Sequence, residues 1–304
     1  MAMTGTFPIV DVAAWDLEPA SRSGIRAALA TALEQDGFAF VRGLPVPARS
    51  VRKAFSVARR FFRAPEDFKR RFAYADVDAN FGYQGLEGES LDPAALPDLK
   101  ETFTMRNAAD RASDQALWPD EDFRRTATDF YGQAFDAARL LLRICAESLD
   151  LPSEFFVARH TGLNVTLRFL YYPAGLAPRD ERQLGAGAHT DYGSLTLLFQ
   201  DSSGGLEVRD PQGSWQAAPP LRDCVVINTG DLMERWTNGR YRSTPHRVRR
   251  VAPTRDRQSI ALFVDPDPEV LVECVPGCGP ARHSPITAGE HIRSKIAATH
   301  EVSP

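Results

Sequence analysis

The sequence predicts an α+β protein in which a mainly helical first half precedes an all-β barrel or jelly roll. Two observations predict this fold. Before about residue 150, apolar residues recur every three to four positions, as they do along one face of an amphipathic helix. After about residue 160, short apolar runs alternate with Gly, Pro and Asp, as strands alternate with turns. No repeat of fixed period is present, which excludes a solenoid.

The first half is predicted to contain two short strands and three helices. The first helix is typical, because Ile25, Leu29 and Leu33 are spaced four residues apart and Gly37 follows the helix. The strands are apolar runs bounded by polar or Gly residues. In chain order the predicted elements are strand 7–12, helix 21–35, strand 38–41, helix 51–62 and helix 121–149.

The second half is predicted to be a succession of short strands with one closing helix. In chain order these are strands 164–172, 194–200, 205–209, 224–228, 257–265 and 269–275, then helix 288–299. No Ser/Gly-rich linker separates the two halves. We therefore expect a single unit over residues 1–304, with a helical part over 1–155 and a jelly-roll part over 156–304.

Composition excludes several classes of protein. The net charge is −4, and hydrophobic residues make up 43% of the 304 residues, so nothing favours nucleic acid or an acidic membrane surface. No apolar run is long enough to cross a bilayer, and the N-terminus lacks a signal-peptide pattern. Four cysteines without a C-x-x-C pair are ordinary for a reducing compartment. We expect a cytoplasmic protein that acts on a small molecule, as a monomer or weak homo-oligomer.

One pair of side chains suggests a metal site. His189 and Asp191 form the only His-x-Asp in the chain. In extended backbone the two side chains project to the same side, where an imidazole and a carboxylate can share a divalent metal. The pair alone is weak support, because His-x-Asp also occurs by chance in surface turns.

Two further segments place unusual residues on one strand face. Arg168, Leu170 and Tyr172 alternate with apolar residues, and so do Arg257 and Ser259. A guanidinium two residues from a hydroxyl can bind a carboxylate with two prongs and an added hydrogen bond. The alternative is that Arg257 ends a strand in solvent and Ser259 binds the backbone.

Together, these segments and their neighbours resemble the iron(II)- and 2-oxoglutarate-dependent oxygenases of the isopenicillin N synthase-like superfamily. The order and gaps of the motifs match over about a hundred residues, and the chain's opening is also similar. The motifs that carry the resemblance are Leu167 to Pro173, Gly187 to Gly193, Gly204 to Val208, Asn228 to Asp231, Thr237 to Tyr241, Ser243 to Val248 and Arg257 to Ser259.

The resemblance implies a fold and a set of site residues. The fold is a double-stranded β-helix (jelly roll) with flanking N-terminal helices and a C-terminal helix. The implied iron ligands, which are also the catalytic centre, are His189, Asp191 and His246, the facial arrangement that suits Fe(II). The implied 2-oxoglutarate residues are Arg257, Ser259 and Tyr172.

Two details fall outside this pattern. Plant members have an Asn two positions before the tyrosine, where this chain has Leu170, so one hydrogen bond to the cosubstrate is lost. The remaining histidines have no matching context, and we expect surface or capping roles for His160, His283, His291 and His300.

The resemblance also implies a reaction and its cofactors. The cofactors are Fe(II), 2-oxoglutarate as cosubstrate and O₂, with ascorbate as an activator. In the family, oxidative decarboxylation of 2-oxoglutarate is coupled to hydroxylation, desaturation or cyclisation of a small-molecule metabolite. Two alternatives stay open: an iron-dependent oxidase of the same fold that does not use 2-oxoglutarate, and a non-catalytic protein that binds a small carboxylate.

The sequence supports only a loose prediction of the substrate pocket. Candidate wall residues are Phe81, Tyr83, Thr102 and Phe263, although ordinary core packing is the alternative for each aromatic and the stronger one for Phe81 and Tyr83. The stretch from 74 to 97 is rich in Gly, Asp and Pro, and we expect a long surface loop that closes over the site.

Overall fold

An eight-stranded sheet and a four-stranded sheet form the centre of the molecule, as expected for the predicted α+β jelly roll. The structure is a computed structural model that describes residues 7–74, 76, 78–92, 94–176, 178–180, 182–249 and 254–300, with side chains up to residue 296. Among these residues, no helix is long and apolar enough to cross a membrane.

Most strands are short. In chain order they are β1 (Ile9–Asp11), β2 (Phe38–Arg42), β3 (Phe81–Gln84), β4 (Glu101–Arg106), β5 (Val165–Tyr172), β6 (Ala186–His189), β7 (Leu195–Gln200), β8 (Leu206–Arg209), β9 (Trp215–Ala217), β10 (Val225–Thr229), β11 (His246–Val248), β12 (Arg257–Val264), β13 (Leu271–Val272) and β14 (Ile286–Thr287). The large sheet has the order β1-β2-β10-β7-β12-β5-β4-β3, and the small sheet has the order β6-β11-β8-β9. Only the β1–β2 pair is parallel among the described strands of these sheets.

The helices pack mainly on the outer face of the large sheet. They are α1 (Arg22–Gln35), α2 (Ala48–Phe62), α3 (Glu66–Arg70), α4 (Glu121–Ser148), α5 (Asp231–Trp236) and α6 (Ala288–His300). The longest, α4, has Asp120 as its N-cap, whose side chain accepts a hydrogen bond from the Phe123 backbone N–H at 2.7 Å. It contacts α1, α2, β7 and β12, so its buried stripe forms the centre of the main core.

Strand alternation decides which residues face the helices and which face the small sheet. On β5, Leu167 and Phe169 are fully buried in the main core. Arg168, Leu170 and Tyr172 point the other way and line a cavity between the sheets. This division confirms the alternation that the sequence predicts for the segment.

The predicted helices and longer strands are confirmed to within a few residues at their ends, but several short elements were not predicted. Strand β3 lies inside the stretch expected to be a loop, and it pairs with β4, which was also missed. The predicted strand 269–275 is reduced to β13, which pairs only with β14, outside both main sheets. Elements of two to four residues leave too few positions for a periodic pattern.

Candidate active site

Three side chains that could bind a metal converge at one end of the small sheet. His189 ends β6, Asp191 follows two residues later, and His246 begins β11 directly opposite His189. Asp191 Oδ1 lies 3.9 Å from His189 Nε2 and 3.7 Å from His246 Nε2. All three ligand atoms lie within 4.8 Å of one another, so one metal ion could contact all of them. The antiparallel pairing of β6 with β11 explains how residues far apart in sequence meet.

The other side of each histidine is fixed by a backbone carbonyl. His189 Nδ1 lies 2.8 Å from the Gly187 carbonyl oxygen, and His246 Nδ1 lies 3.2 Å from that of Thr244. Because a carbonyl can only accept, each Nδ1 carries the proton and donates. Each Nε2 lone pair is therefore left for a metal.

The carboxylate of Asp191 is also fixed by hydrogen bonds, in this case from two side chains. Its Oδ2 accepts hydrogen bonds from Thr196 Oγ1 at 2.5 Å and from Asn228 Nδ2 at 2.6 Å. These two bonds leave Oδ1 facing the histidines. Neither Thr196 nor Asn228 was singled out as a functional residue from the sequence, although Asn228 begins one of the motifs that carry the resemblance.

The electrostatics of the three groups suit a divalent cation. Burial, followed by the neighbouring His246, lowers the pKa of His189 to about 4, so its imidazole is neutral at physiological pH. Burial alone would raise the pKa of Asp191, but the polar surroundings of the carboxylate, with His246 and His189 first among them, act in the opposite direction. The hydrogen bonds from Thr196 and Asn228 add to this, and the net result is a lowered pKa. Two imidazoles and one carboxylate are the donor set of a facial iron(II) site.

The loop that carries Asp191 is fixed by the start of α5. The backbone N–H of Asp231 donates to the Asp191 carbonyl at 2.8 Å, and that of Leu232 donates to the Gly193 carbonyl at 3.0 Å. Gly230 permits this close approach, because a Cβ there would lie 2.5 Å from the Gly193 oxygen. Gly230, in the Asn228 to Asp231 motif, is therefore required because it packs against the loop that carries Asp191.

On the large sheet, Arg257 and Ser259 face the same cavity. Arg257 is 7% exposed and donates to the Gly204 carbonyl at 2.7 Å, to Ser259 Oγ at 3.2 Å and to Gln200 Oε1 at 3.4 Å. Its guanidinium carbon lies 4.6 Å from the centre of the Tyr172 ring. No carboxylate among the described residues pairs with it, so this buried cation suits an anionic ligand.

One cavity of about 430 Å³ joins the two sites. The metal triad, Arg257, Ser259 and Tyr172 all line it, and so does Leu170, which stands where plant members have Asn. Phe38 lies against His246 with ring centroids 5.3 Å apart and adds an apolar wall. Residues of the predicted loop, such as Glu87 and Leu91, also line the cavity. Closure of that loop on a substrate stays a prediction.

Phe81 and Tyr83, two of the predicted substrate contacts, lie in the main core. Phe81 packs edge-on against Phe103 and Trp118, and the hydroxyl of Tyr83 donates to Glu101 at 2.5 Å. Neither lines the cavity. They lie on β3, where side chains of alternate residues face the helices, and their positions do not support a contact with substrate.

Only one of the other two predicted contacts lines the cavity. Phe263 lines it directly. Thr102 stands behind the lining residues: it donates to Gln84 Oε1 at 3.3 Å and accepts from Arg168 Nη2 at 3.3 Å. Thr102 therefore contacts cavity-lining side chains, and its own contact with substrate stays a prediction.

A buried charge network that the sequence did not suggest forms one wall. Glu89 accepts from Lys100 Nζ at 2.9 Å and from Arg168 Nη2 at 3.0 Å. Lys100 also pairs with Asp98, whose other oxygen accepts from the Gly187 backbone N–H at 2.8 Å. Since Gly187 lies two residues before His189, the network ties the segment before β4 to the metal strand.

The other histidines differ in part from expectation. His160 caps the C-terminus of the 3-10 helix Val157–Arg159, which agrees with a capping role, but it is not at the surface. It is 1% exposed, with Nδ1 donating to the Phe156 carbonyl at 2.7 Å and Nε2 3.0 Å from Ser194 Oγ. His291 is also buried, whereas His283 is exposed. The side chain of His300 lies outside the described residues. Burial lowers the pKa of His160 to about 4, so it is a neutral structural group.

Comparison with known families accounts for this arrangement. The sequence profile of the 2OG-Fe(II) oxygenase superfamily matches residues 161–266, which contain the metal triad, Arg257 and Ser259. A second profile, described as the N-terminal region of a non-haem dioxygenase in morphine synthesis, matches residues 7–121.

Whole-chain relatives agree with the profiles. The 2-oxoglutarate-Fe(II) type oxidoreductase hxnY of Emericella nidulans is 31% identical, over 94% of this chain and 88% of its own length. Clavatol oxidase claD of Penicillium crustosum is 30% identical, over 97% of each chain.

Solved structures agree as well. A full-length Neurospora crassa protein in complex with α-ketoglutarate and thymine is 30% identical, covers 99% of each chain and has a TM-score of 0.86. A putative 2OG-Fe(II) oxygenase family protein from Caulobacter crescentus is 27% identical, covers 97% of this chain and 99% of its own, and has a TM-score of 0.83. These likenesses confirm the predicted jelly-roll fold. The chain belongs to the 2-oxoglutarate- and iron(II)-dependent oxygenases.

Proposed function

We propose that His189, Asp191 and His246 bind Fe(II), and that Arg257 and Ser259, assisted by Tyr172, hold the distal carboxylate of 2-oxoglutarate. One observation carries this proposal: three free metal-donor atoms and a buried arginine without a carboxylate partner among the described residues line a single cavity. In this arrangement the distal carboxylate of 2-oxoglutarate contacts Arg257, and the other end of the same molecule reaches the metal position.

The reaction class follows from family membership. The enzyme couples oxidative decarboxylation of 2-oxoglutarate to oxidation of a small molecule, with Fe(II) and O₂. For a hydroxylation, R–H, 2-oxoglutarate and O₂ give R–OH, succinate and CO₂. When bound, Fe(II) supplies the activation of O₂, which no side chain can supply.

The protein's own residues position the reactants. Thr196 and Asn228 hold Asp191 so that only Oδ1 faces the metal position, and the carbonyls of Gly187 and Thr244 fix the histidine tautomers. The apolar side chain of Leu170 lies between Thr102 and Ser259 in the sheet and lines the cavity beside Ser259.

The oxidase that does not use 2-oxoglutarate is the alternative to test. An Arg-x-Ser pair occurs in such enzymes too, so the pair does not separate them. The relatives' names and the α-ketoglutarate complexes favour 2-oxoglutarate here. Stoichiometric succinate formation by the iron-loaded protein would support this reading. Substrate oxidation that is indifferent to 2-oxoglutarate would contradict it.

The substrate and setting are further parts of the proposal. One similar structure contains thymine and another 5-formyluracil, which supports a small polar metabolite for this chain as well. We expect hydroxylation, desaturation or ring formation, with ascorbate as activator.

One sheet draws strands from both the 1–155 and 156–304 parts, which supports a single working unit. Four free cysteines support a reducing, cytoplasmic setting, and we expect a monomer or weak homo-oligomer that binds no nucleic acid.

The experiment is a turnover screen. Purified protein with Fe(II), ascorbate and 2-oxoglutarate is offered a panel of small metabolites, and succinate is measured against a His246→Ala control. A metabolite that stimulates succinate formation in the wild type alone identifies a substrate.

A further inference from the structure

Two ionisable side chains of the cavity wall have no hydrogen-bond or ion-pair partner among the described residues. Arg106 ends β4, its Nε is buried without a hydrogen bond, and no described carboxylate lies within 4.0 Å of its guanidinium. Asp265 directly follows β12, and its carboxylate accepts no hydrogen bond from the described part of the chain. Burial raises the pKa of Asp265 to about 7; Arg106 acts in the opposite direction, and the nearby Asp191 adds to the rise.

The rest of the cavity wall shows that this lack of partners is unusual. Glu89 pairs with both Arg168 and Lys100, and Lys100 pairs with Asp98. Buried charges normally have such partners, because an unpaired charge loses its hydration without compensation. Arg106 and Asp265 are both half-buried and line the same cavity, yet they do not form an ion pair.

The sheet explains why the two groups stay apart. Arg106 lies opposite Thr166 on β5, and β5 in turn separates β4 from β12. Two strand spacings amount to about 10 Å between backbones. Asp265 is also drawn toward the metal loop, because its Oδ1 would lie 1.5 Å from a Cβ added at Gly193. The gap between the two side chains is therefore built into the strand order.

A neighbouring hydroxyl adds a third unsatisfied group. Thr104 lies two residues before Arg106 on the same strand face and lines the cavity. Its side chain is 2% exposed, and Oγ1 has no hydrogen-bond partner among the described residues. Arg106, Thr104 and Asp265 thus form a polar subsite of the cavity. Arg106 and Thr104 offer hydrogen-bond donors at one end of it, and Asp265 offers an acceptor at the other.

We propose that Arg106 and Asp265 bind the two polar ends of the substrate, an inference that rests on the proposed function. Arg106, with Thr104, donates to a carboxylate or carbonyl oxygen of the substrate, and Asp265 accepts from an N–H or O–H group. Because Asp265 lies against Gly193, two residues from Asp191, the donor end of the substrate lies nearer the metal. The substrate class is a small molecule with an oxygen acceptor and a hydrogen-bond donor at opposite ends.

The test uses probes on one ring scaffold. These are 4-hydroxybenzoate and 4-(aminomethyl)benzoate, which carry both groups, benzoate, which carries only the acceptor, and phenol, which carries only the donor. Dissociation constants are measured without O₂ on the Fe(II)- and 2-oxoglutarate-loaded protein by calorimetry. We expect both-ended probes to bind about tenfold or more tightly than benzoate and phenol, as for an added hydrogen bond to a charged group. Comparison of 4-hydroxybenzoate with 4-(aminomethyl)benzoate shows whether the site prefers a neutral or a cationic hydrogen-bond donor.

Variants then assign the two ends. Arg106→Gln should weaken 4-hydroxybenzoate to the level of phenol, and Asp265→Ala should weaken it to the level of benzoate. The control Arg240→Gln removes an arginine that pairs with Glu34 away from the cavity, and it should change nothing. The inference is overturned if both-ended probes bind no better than one-ended probes, if none binds, or if neither variant changes the affinity, while 2-oxoglutarate binds normally. Failure of 2-oxoglutarate to bind the wild type would instead refute the proposed function.

Discussion

Replacement of Thr196 by valine should weaken metal binding about tenfold, although Thr196 is not itself a proposed ligand. Its hydroxyl donates to Asp191 Oδ2 at 2.5 Å, and valine keeps the shape of the side chain without the donor. A hydrogen bond to a charged group contributes about 1.5–3 kcal/mol. Asn228 still donates to the same oxygen at 2.6 Å, so we expect a loss near 1.4 kcal/mol, or about tenfold.

The assay is a Co(II) titration of the metal-free protein, followed by visible absorption. Thr237→Val is the matched control, because Thr237 is fully buried, donates to the Met233 carbonyl at 2.9 Å and does not line the cavity. The control should lose folding stability but keep its metal affinity. Wild-type affinity in Thr196→Val, or an equal loss of affinity in both variants, would refute the role given to this hydrogen bond.

Four further predictions concern the site and its surroundings. His246→Ala should abolish metal-dependent succinate formation with little change in the melting temperature; full activity with iron bound would contradict the ligand assignment. Arg257→Ala should raise the 2-oxoglutarate requirement by a hundred- to several-thousand-fold, from a cost of about 3–5 kcal/mol. In calorimetric titrations, Arg257→Lys should recover only part of the lost affinity for 2-oxoglutarate. Ser259→Ala should cost less binding free energy, about 0.5–3 kcal/mol. Because the pKa of His160 falls from 6.5 to about 4 on folding, the unfolded state binds more protons between these values. The free energy of unfolding should therefore fall as the pH drops through this window, and His160→Gln should flatten that dependence in urea titrations at several pH values. A Cβ at Gly187 would lie 2.8 Å from the Asp92 backbone nitrogen, so Gly187→Ala should speed limited proteolysis within residues 85–98; unchanged cleavage would argue against that packing.

The residues that alternate on long strands could be predicted from the sequence. Period-two alternation predicts that Arg168 and Tyr172 share one face of β5 and that Arg257 and Ser259 share one face of β12. In the structure both faces line one cavity. The alternation is readable because each of these strands has eight residues, long enough for one face to differ clearly from the other.

The short metal-bearing strands could not be predicted in the same way. Strand β6 consists of Ala, Gly, Ala and His, and β11 has only three residues, so neither carries an apolar pattern. The closeness of His246 to His189 depends on pairing between distant segments, which local periodicity does not encode. Only the resemblance supplied His246 as a third ligand.

Aromatic residues were the weakest basis for prediction. Phe81 and Tyr83 are as apolar as a pocket wall would be, yet β3 turns them toward the helices. The polar subsite formed by Arg106 and Asp265 has no sequence signal of its own, because isolated charged residues at strand ends usually meet solvent. Only the strand order, which brings Arg106 and Asp265 to the same cavity, indicates this subsite.

The most direct test of the metal and cosubstrate assignment is anaerobic addition of 2-oxoglutarate to the Fe(II)-loaded protein, followed by visible absorption. Chelation of the metal by the keto acid produces a charge-transfer band. The assignment predicts this band in the wild type, its loss in His246→Ala, and its appearance in Arg257→Ala only at much higher 2-oxoglutarate concentration. No band in the wild type, or a band that neither substitution changes, would contradict it.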